Sequence, residues 1–172
     1  IAKTISGFDN YNTRVRKLGG FYLPNSAREQ KFTVPSGKAE FNIGNVKEFN
    51  LQPNEYVMMT IRSHDQFNTT IYGLNDRYRG VINERRVIFM NEKDIAAGGF
   101  TKGEVVDLYN FDNNIERVAH RFIIIPFSIP EKCTATYFPE TNVLVPIDST
   151  AEKSNTPTSK SVIIEVRRSA TY

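Results

Sequence analysis

Arg85-Arg-Val-Ile-Phe-Met-Asn-Glu-Lys-Asp-Ile-Ala-Ala-Gly-Gly-Phe-Thr-Lys-Gly-Glu-Val-Val-Asp-Leu-Tyr109 is the stretch on which the fold turns. Arg85–Met90 is short, apolar and rich in β-formers, the pattern of a buried strand. Asn91 can cap a helix, Asp94 falls in its favourable first turn, and Ile95-Ala-Ala97 continues it. Gly98-Gly99 then stops it, which limits the helix to 91–97. After Gly103, Glu104–Tyr109 reads as a second strand.

Outward from that unit the same signals recur. Glu55-Tyr-Val-Met-Met-Thr-Ile-Arg62 is a buried-strand run, and Ser161-Val-Ile-Ile-Glu-Val166 closes the chain as another. Asp112-Asn-Asn114 offers a hairpin turn, because Asn tolerates left-handed geometry, and Ile115–Pro126 continues from it as a long strand. Residues 133–146 are mixed, with Pro139 and Pro146 breaking any long element, and Ser154-Asn-Thr-Pro157 is a loop. The sum predicts an all-β chain with minor α: a closed barrel of about six strands, with one or two short helices.

Residues 1–48 have a different texture. Gly7, Gly19, Gly20, Pro24, Pro35 and Gly37 punctuate them without a sustained period of 2 or 3.6. The reading is an extended N-terminal arm over 1–48 ahead of a barrel domain over 49–172. Phe8, Tyr11, Phe21, Tyr22 and Phe32 are too apolar for a solvated linker. Two readings remain open: the arm lies on a partner surface, or it wraps its own domain.

Composition narrows the function classes. A chain of 172 residues can bury about 70% of its unfolded surface, enough for a core without staples. With 22 basic against 19 acidic residues the net charge is +3, which excludes a disordered polyelectrolyte. The pI near 9.0 leans toward anionic partners without the clustered bases of a nucleic-acid-binding domain. The single Cys133 excludes a disulfide framework within the chain and any all-cysteine zinc or iron–sulfur site. No apolar run spans a bilayer and no secretory signal opens the sequence, so a soluble, cytoplasmic protein is expected. The first residue is Ile1, not Met, so the chain is expected to have been processed or cut from something longer.

The segment richest in chemistry is Arg62-Ser-His-Asp-Gln-Phe-Asn-Thr-Thr-Ile-Tyr72, immediately after a strand, where rigid scaffolds place binding groups. Its amides and hydroxyls both donate and accept, which suits a heterocycle edge and phosphate oxygens. The alternative is a polar loop whose side chains cap its own turns. His64 and Asp65 are adjacent, but strand neighbours point to opposite faces, so adjacency is not expected to make a dyad. His120 reads as a half-exposed strand residue. Two histidines and one cysteine fall short of the roughly three or four ligands a zinc site needs. Cys133 has only Lys132 beside it and reads as a small buried hydrophobe. Neither common glycine-rich phosphate loop is present, since Gly98-Gly99 and Gly103 fit neither spacing. No catalytic constellation emerges.

Four ordered segments nevertheless look familiar. Met58-Met-Thr-Ile-Arg-Ser-His-Asp-Gln-Phe-Asn-Thr-Thr-Ile-Tyr-Gly73 resembles the first loop of the C-terminal molybdopterin-dinucleotide-binding domain of formate-dehydrogenase-like oxidoreductases. Val87–Val106 resembles that domain's strand–helix–strand signature. Tyr137-Phe-Pro-Glu-Thr-Asn-Val-Leu-Val-Pro146 and Ser154-Asn-Thr-Pro-Thr-Ser-Lys160 resemble its later cofactor-facing stretches. Gly19-Gly-Phe-Tyr-Leu23 and Pro35-Ser-Gly-Lys-Ala-Glu-Phe41 match the lead-in to the domain.

This resemblance implies a double-psi β-barrel that helps bind a bis-pterin guanine dinucleotide (bis-MGD) carrying Mo or W. The metal is ligated by upstream domains of the same polypeptide, so the chain is expected to be a C-terminal piece, not catalytic alone. The cofactor-binding residues it implies are Arg62, His64, Gln66, Asn68, Thr69, Thr70, Asn142, Thr156 and Lys160. Arg62 offers a planar fork to phosphate or a carbonyl edge. Gln66, Asn68, Thr69 and Thr70 offer neutral hydrogen bonds, Asn142 an amide, and Lys160 a charge for the pyrophosphate. Arg62, Gln66, Asn68 and Thr69 are expected to share one cleft with Asn142 and Lys160. Relatives often carry His-aromatic-His-Thr where this chain has Gln66-Phe67-Asn68-Thr69, which argues for binding over proton transfer there. Glu140 and Asp148 are expected to stabilise loops. Two alternatives stand beside this: an adaptor-type interaction module on the same barrel without cofactor, and a small hydrolase or decarboxylase, for which only Cys133 or loop serines offer a nucleophile.

Overall fold

The computed structural model describes residues 1–46, 48–67, 73–152 and 154–170. Backbone contacts divide the chain into two compact units, Ile1–Glu48 and Phe49–Tyr172. The first contains one short helix, α1 (Tyr11–Arg14), among turns and irregular chain. Arg14 holds that unit locally, donating to the Gly7 carbonyl at 2.7 Å while stacking over the Phe21 ring.

Among the described residues, the second unit has six strands that close into a barrel. They are β1 (Glu55–Ile61), β2 (Val87–Met90), β3 (Val105–Asp112), β4 (Ile115–Pro126), β5 (Cys133–Tyr137) and β6 (Val162–Arg168). The order around the barrel is β1-β5-β2-β4-β3-β6. β1 runs parallel to β5 and β2 parallel to β4, while the other four contacts are antiparallel. Closure leaves no free sheet edge. A single short helix, α2 (Glu92–Ala97), joins β2 to the β3 side, capped by the Asn91 side chain on the Lys93 N–H at 2.8 Å.

The barrel interior is filled by residues alternating inward. Met58, Ile88, Met90, Val106, Leu108, Phe122, Ile124 and Ile164 form the larger cluster. Phe89 and Tyr137 anchor a second, with ring centroids 5.5 Å apart at 80°. A buried Phe contributes about 1.5–3 kcal/mol relative to leaving it exposed.

Boundaries depart from the sequence reading where side chains compete with the ladder. β2 begins at Val87, not Arg85, because the Arg85 and Arg86 N–H groups both turn to the Glu84 carboxylate, at 2.7 and 2.8 Å. β3 continues to Asp112, since Asn113 and Asn114 adopt left-handed φ of 51° and 61° and make a tight hairpin into β4. β5 lies within the segment read only as mixed. Its Thr134 and Thr136 are buried but polar, so no apolar alternation advertises the strand. A bulge between Val106 and Leu108 lets Asp107 accept from the Arg121 N–H at 2.8 Å and contact His120 Nδ1 at 2.9 Å. Cys133 is half-buried at the start of β5. Among the described residues, no helix is long and apolar enough to cross a membrane.

Candidate functional site

The parallel pairing of β1 with β5 puts the carboxyl ends of both strands at the same end of the barrel. Three connections meet there. The loop after β1 leaves from Ile61, whose carbonyl accepts the Phe138 N–H at 2.9 Å. The loop after β5 runs through Glu140 into a short 3-10 turn, Asn142–Leu144. The segment entering β6 returns as Ser159-Lys160, with the Ser159 carbonyl accepting the Thr60 N–H at 3.0 Å. Between the last two opens a cleft of about 440 Å³, lined by Phe138, Asn142, Val145, Pro146, Pro157 and Ser159.

Sequence-predicted residues fall at different depths around this end. Asn142 lines the cleft and is exposed. Lys160 follows Ser159, and one of its three ammonium donors goes to the Thr60 carbonyl. Arg62 is exposed immediately after β1, and its carbonyl accepts from Arg79 at 3.3 Å. Thr156 is exposed beside Pro157, with its hydroxyl 2.9 Å from that of Ser154. Asn68, Thr69 and Thr70 lie outside the described residues.

Gln66 does not face outward. It is 4% exposed, and its amide is committed to the protein. Oε1 accepts from the Ser63 N–H at 3.2 Å and from Arg85 at 3.3 Å, while Nε2 donates to the Phe138 carbonyl at 2.9 Å. It sits behind the Phe138 wall of the cleft and shapes it. His64 and Asp65 correct the expectation of opposite faces: they occupy a turn, and His64 Nε2 comes within 3.3 Å of the Asp65 carboxylate. The shorter contact is from Arg77 Nε to the same Nε2 at 2.8 Å. Arg77 can only donate, so this hydrogen bond makes Nε2 the acceptor. Asp65 is therefore a neighbour of His64 and does not orient it as a base. The Tyr78 ring lies against the imidazole with centroids 4.0 Å apart at 84°.

Residues that the sequence reading passed over build the frame. Arg85 is 5% exposed, two residues ahead of β2. Its guanidinium pairs bidentately with Glu140 at 2.5 and 3.1 Å, and donates to Ser63 Oγ at 2.8 Å. It also donates to the Gly73 carbonyl at 3.1 Å and the Phe138 carbonyl at 2.8 Å. Glu140 is thus the loop-stabilising carboxylate expected. Asp76, 1% exposed, accepts from Arg79 at 2.5 Å, from the Tyr137 hydroxyl at 2.8 Å and from the Tyr78 N–H at 3.1 Å. Burial would raise the Asp76 pKa, but the hydrogen bonds from Arg79 and Tyr137 prevail and hold it below the ordinary range. Burial and then the Asp76 carboxylate push the Tyr137 phenol well above its ordinary value. One signal in the sequence points to Arg85. Arg85 and Arg86 are consecutive beside an apolar strand, so alternation turns one of them inward.

The arrangement can bind and orient. The cleft offers the Asn142 amide, the Ser159 hydroxyl and an apolar wall of Phe138, Val145 and Pro146. Over residues 56–163 the chain matches the family model described as the molydopterin dinucleotide binding domain. Along 99% of its length it is 44% identical to an uncharacterized oxidoreductase, Rv2900c, of Mycobacterium tuberculosis (strain H37Rv). Along 98% it is 37% identical to protein YdeP of Escherichia coli K12. The chain spans 23% of the length of each of these relatives.

Proposed function

The chain belongs to the family of molydopterin dinucleotide binding domains, and from that premise we propose that the cleft at the β1–β5 carboxyl end receives the pterin dinucleotide. The observation that carries this is a cleft walled by Phe138, Asn142 and Ser159, between the connections after β5 and before β6, with the loop after β1 bonded to the Phe138 carbonyl through Gln66.

The donor set fits such a ligand. A pterin dinucleotide is long, flat in part, polar and anionic at its pyrophosphate. Arg62 and Lys160 supply charge for the phosphates, and a bidentate guanidinium suits them geometrically. Asn142 offers donor and acceptor to a heterocycle edge, and Phe138, Val145 and Pro146 give the ring an apolar wall. Glu140 would repel an anion if it stood alone, but Arg85 neutralises it. The proposed set also includes Asn68, Thr69 and Thr70, for their neutral hydrogen-bonding groups, together with His64 and Thr156.

The whole protein is read as a formate-dehydrogenase-like oxidoreductase of the cytoplasm. Its bis-pterin guanine dinucleotide carries Mo or W, ligated from domains upstream of this one. When bound, that group supplies the redox chemistry, and this chain's residues bind it, orient it and shield it from water.

The test is cofactor retention in the full-length protein. A hydrogen bond to a charged group is worth about 1.5–3 kcal/mol, so Lys160→Ala is expected to lower pterin retention about 10–150-fold. Pterin is read by the fluorescence of its oxidised form after denaturation, beside the melting temperature. Wild-type pterin content in both Lys160→Ala and Asn142→Ala would overturn the reading.

A further inference from the structure

We propose that Arg85 is the positioning residue of the cofactor end, a buried clamp that sets the loop after β1 against the loop after β5. The inference rests on the reading that this end receives the pterin dinucleotide. The partners of Arg85 are drawn from both loops: Ser63, Gln66 and Gly73 on one side, Phe138 and Glu140 on the other.

Geometry makes the guanidinium specific. It has five N–H donors in a rigid plane, and its Nε and one terminal nitrogen lock onto the two Glu140 oxygens. The remaining three donors are shared among three carbonyl or amide oxygens and one hydroxyl, so the second Nη2 hydrogen is divided between Gln66 Oε1 and the Phe138 carbonyl. A lysine ammonium places three donors around one point and cannot span both loops. A buried ion pair is also a poor stability device, because desolvation offsets much of its attraction. Its use here is to fix one loop geometry. Gln66 extends the clamp: it accepts from Arg85 and donates to the same Phe138 carbonyl that Arg85 holds. Phe138 is a wall of the cleft, so displacing it changes the cleft.

The experiment compares Arg85→Lys, Glu140→Gln and Val166→Ala in the full-length protein. Val166 belongs to the barrel core and pairs with Leu108, and it serves as a control of lowered stability. Glu140→Gln keeps the side-chain volume and serves if Arg85→Lys fails to fold. Hydrogen exchange reads the Ser63 and Gln66 amides, which bond to Gln66 Oε1 and the Ser63 carbonyl. Pterin content is measured on the same samples. Arg85→Lys is expected to speed exchange at these amides at least about tenfold, the effect of losing roughly one charge-assisted hydrogen bond, and to lower pterin content by a similar factor. Val166→Ala, compared at equal fall in melting temperature, is expected to change neither.

Unchanged exchange in Arg85→Lys and Glu140→Gln would overturn the clamp, as would a matching response in Val166→Ala. Faster exchange with wild-type pterin content would overturn it as a positioning device. Lys160→Ala separates that failure from failure of the cofactor reading. If Lys160→Ala still loses pterin, the cleft binds the cofactor without Arg85. If neither Lys160→Ala nor Asn142→Ala loses pterin, both proposals fall together.

Discussion

Tyr137→Phe isolates one buried hydrogen bond in an otherwise unchanged core. The Tyr137 ring is fully buried and packs edge-on to Phe89, and its hydroxyl donates to Asp76 at 2.8 Å. Phe keeps the ring, opens no sizeable cavity and removes only the donor. A hydrogen bond to a charged group contributes about 1.5–3 kcal/mol. Asp76 retains Arg79 and the N–H groups of Tyr78 and Arg79, so its charge is not left bare. The lower half of the range therefore applies, about 1.5–2 kcal/mol at neutral pH. For a chain of this size that is a fall in melting temperature of roughly 3–8 °C.

The same substitution carries a pH signature. The Asp76 pKa is lowered below its ordinary 3.8, so its contribution to stability is present above that value. It is lost as pH falls through the lower, folded value. Removing the Tyr137 donor lessens the lowering, so the variant should lose stability at higher pH on acidification than the parent. The gap between the two should narrow in acid, toward the ~1 kcal/mol of a neutral hydrogen bond. Urea denaturation from pH 7 to pH 3, with unchanged m-value, measures this. A difference under about 0.5 kcal/mol, within the range of ordinary surface substitutions, or one that does not vary with pH, refutes the reasoning.

Two further outcomes can be checked with the same titrations. Asn91→Ala removes the cap of α2 and the bond to the Ile129 carbonyl at 2.6 Å, and should cost about 1–2 kcal/mol by urea denaturation. Asp107 is pushed up by burial, but Ser169, the Arg121 N–H and His120 together hold its pKa below the ordinary 3.8. Its stabilisation is therefore present above that value and lost as pH falls through the folded one. Asp107→Asn should flatten the acid limb of melting temperature against pH, and an unchanged acid limb would contradict the assignment.

Local pattern was enough for much of the barrel. The runs at 55–62, 104–109, 115–126 and 161–166 hold strands because their apolar and β-branched residues have nowhere else to go. Asn91 and Gly98-Gly99 bound a helix by cap chemistry that acts within four residues. The hairpin at Asn113-Asn114 is equally local. Such signals need no partner, and they survive in the sequence. β5 was not legible, because its inward threonines look like loop residues until the strands around them supply burial.

The site divides along the same line. The chemistry of Arg62, Asn142 and Lys160 can be read from residue type, since cations and amides at loop positions suit an anionic heterocycle wherever the loops go. Their placement cannot be read that way. Gln66 looks like its polar neighbours in sequence, yet the structure turns it inward, where Ser63, Arg85 and Phe138 use both ends of its amide. His64 and Asp65 approach one another because a turn, not a strand, carries them. Arg85 lies 55 positions from Glu140, and only the barrel, by running β2 antiparallel to β5, brings the two within a bidentate hydrogen bond. Hydrogen bonds reach about 3 Å whatever the sequence separation. The sequence alone thus determined which groups were available, and the closure of the barrel decided which of them face the cleft and which are consumed in building it.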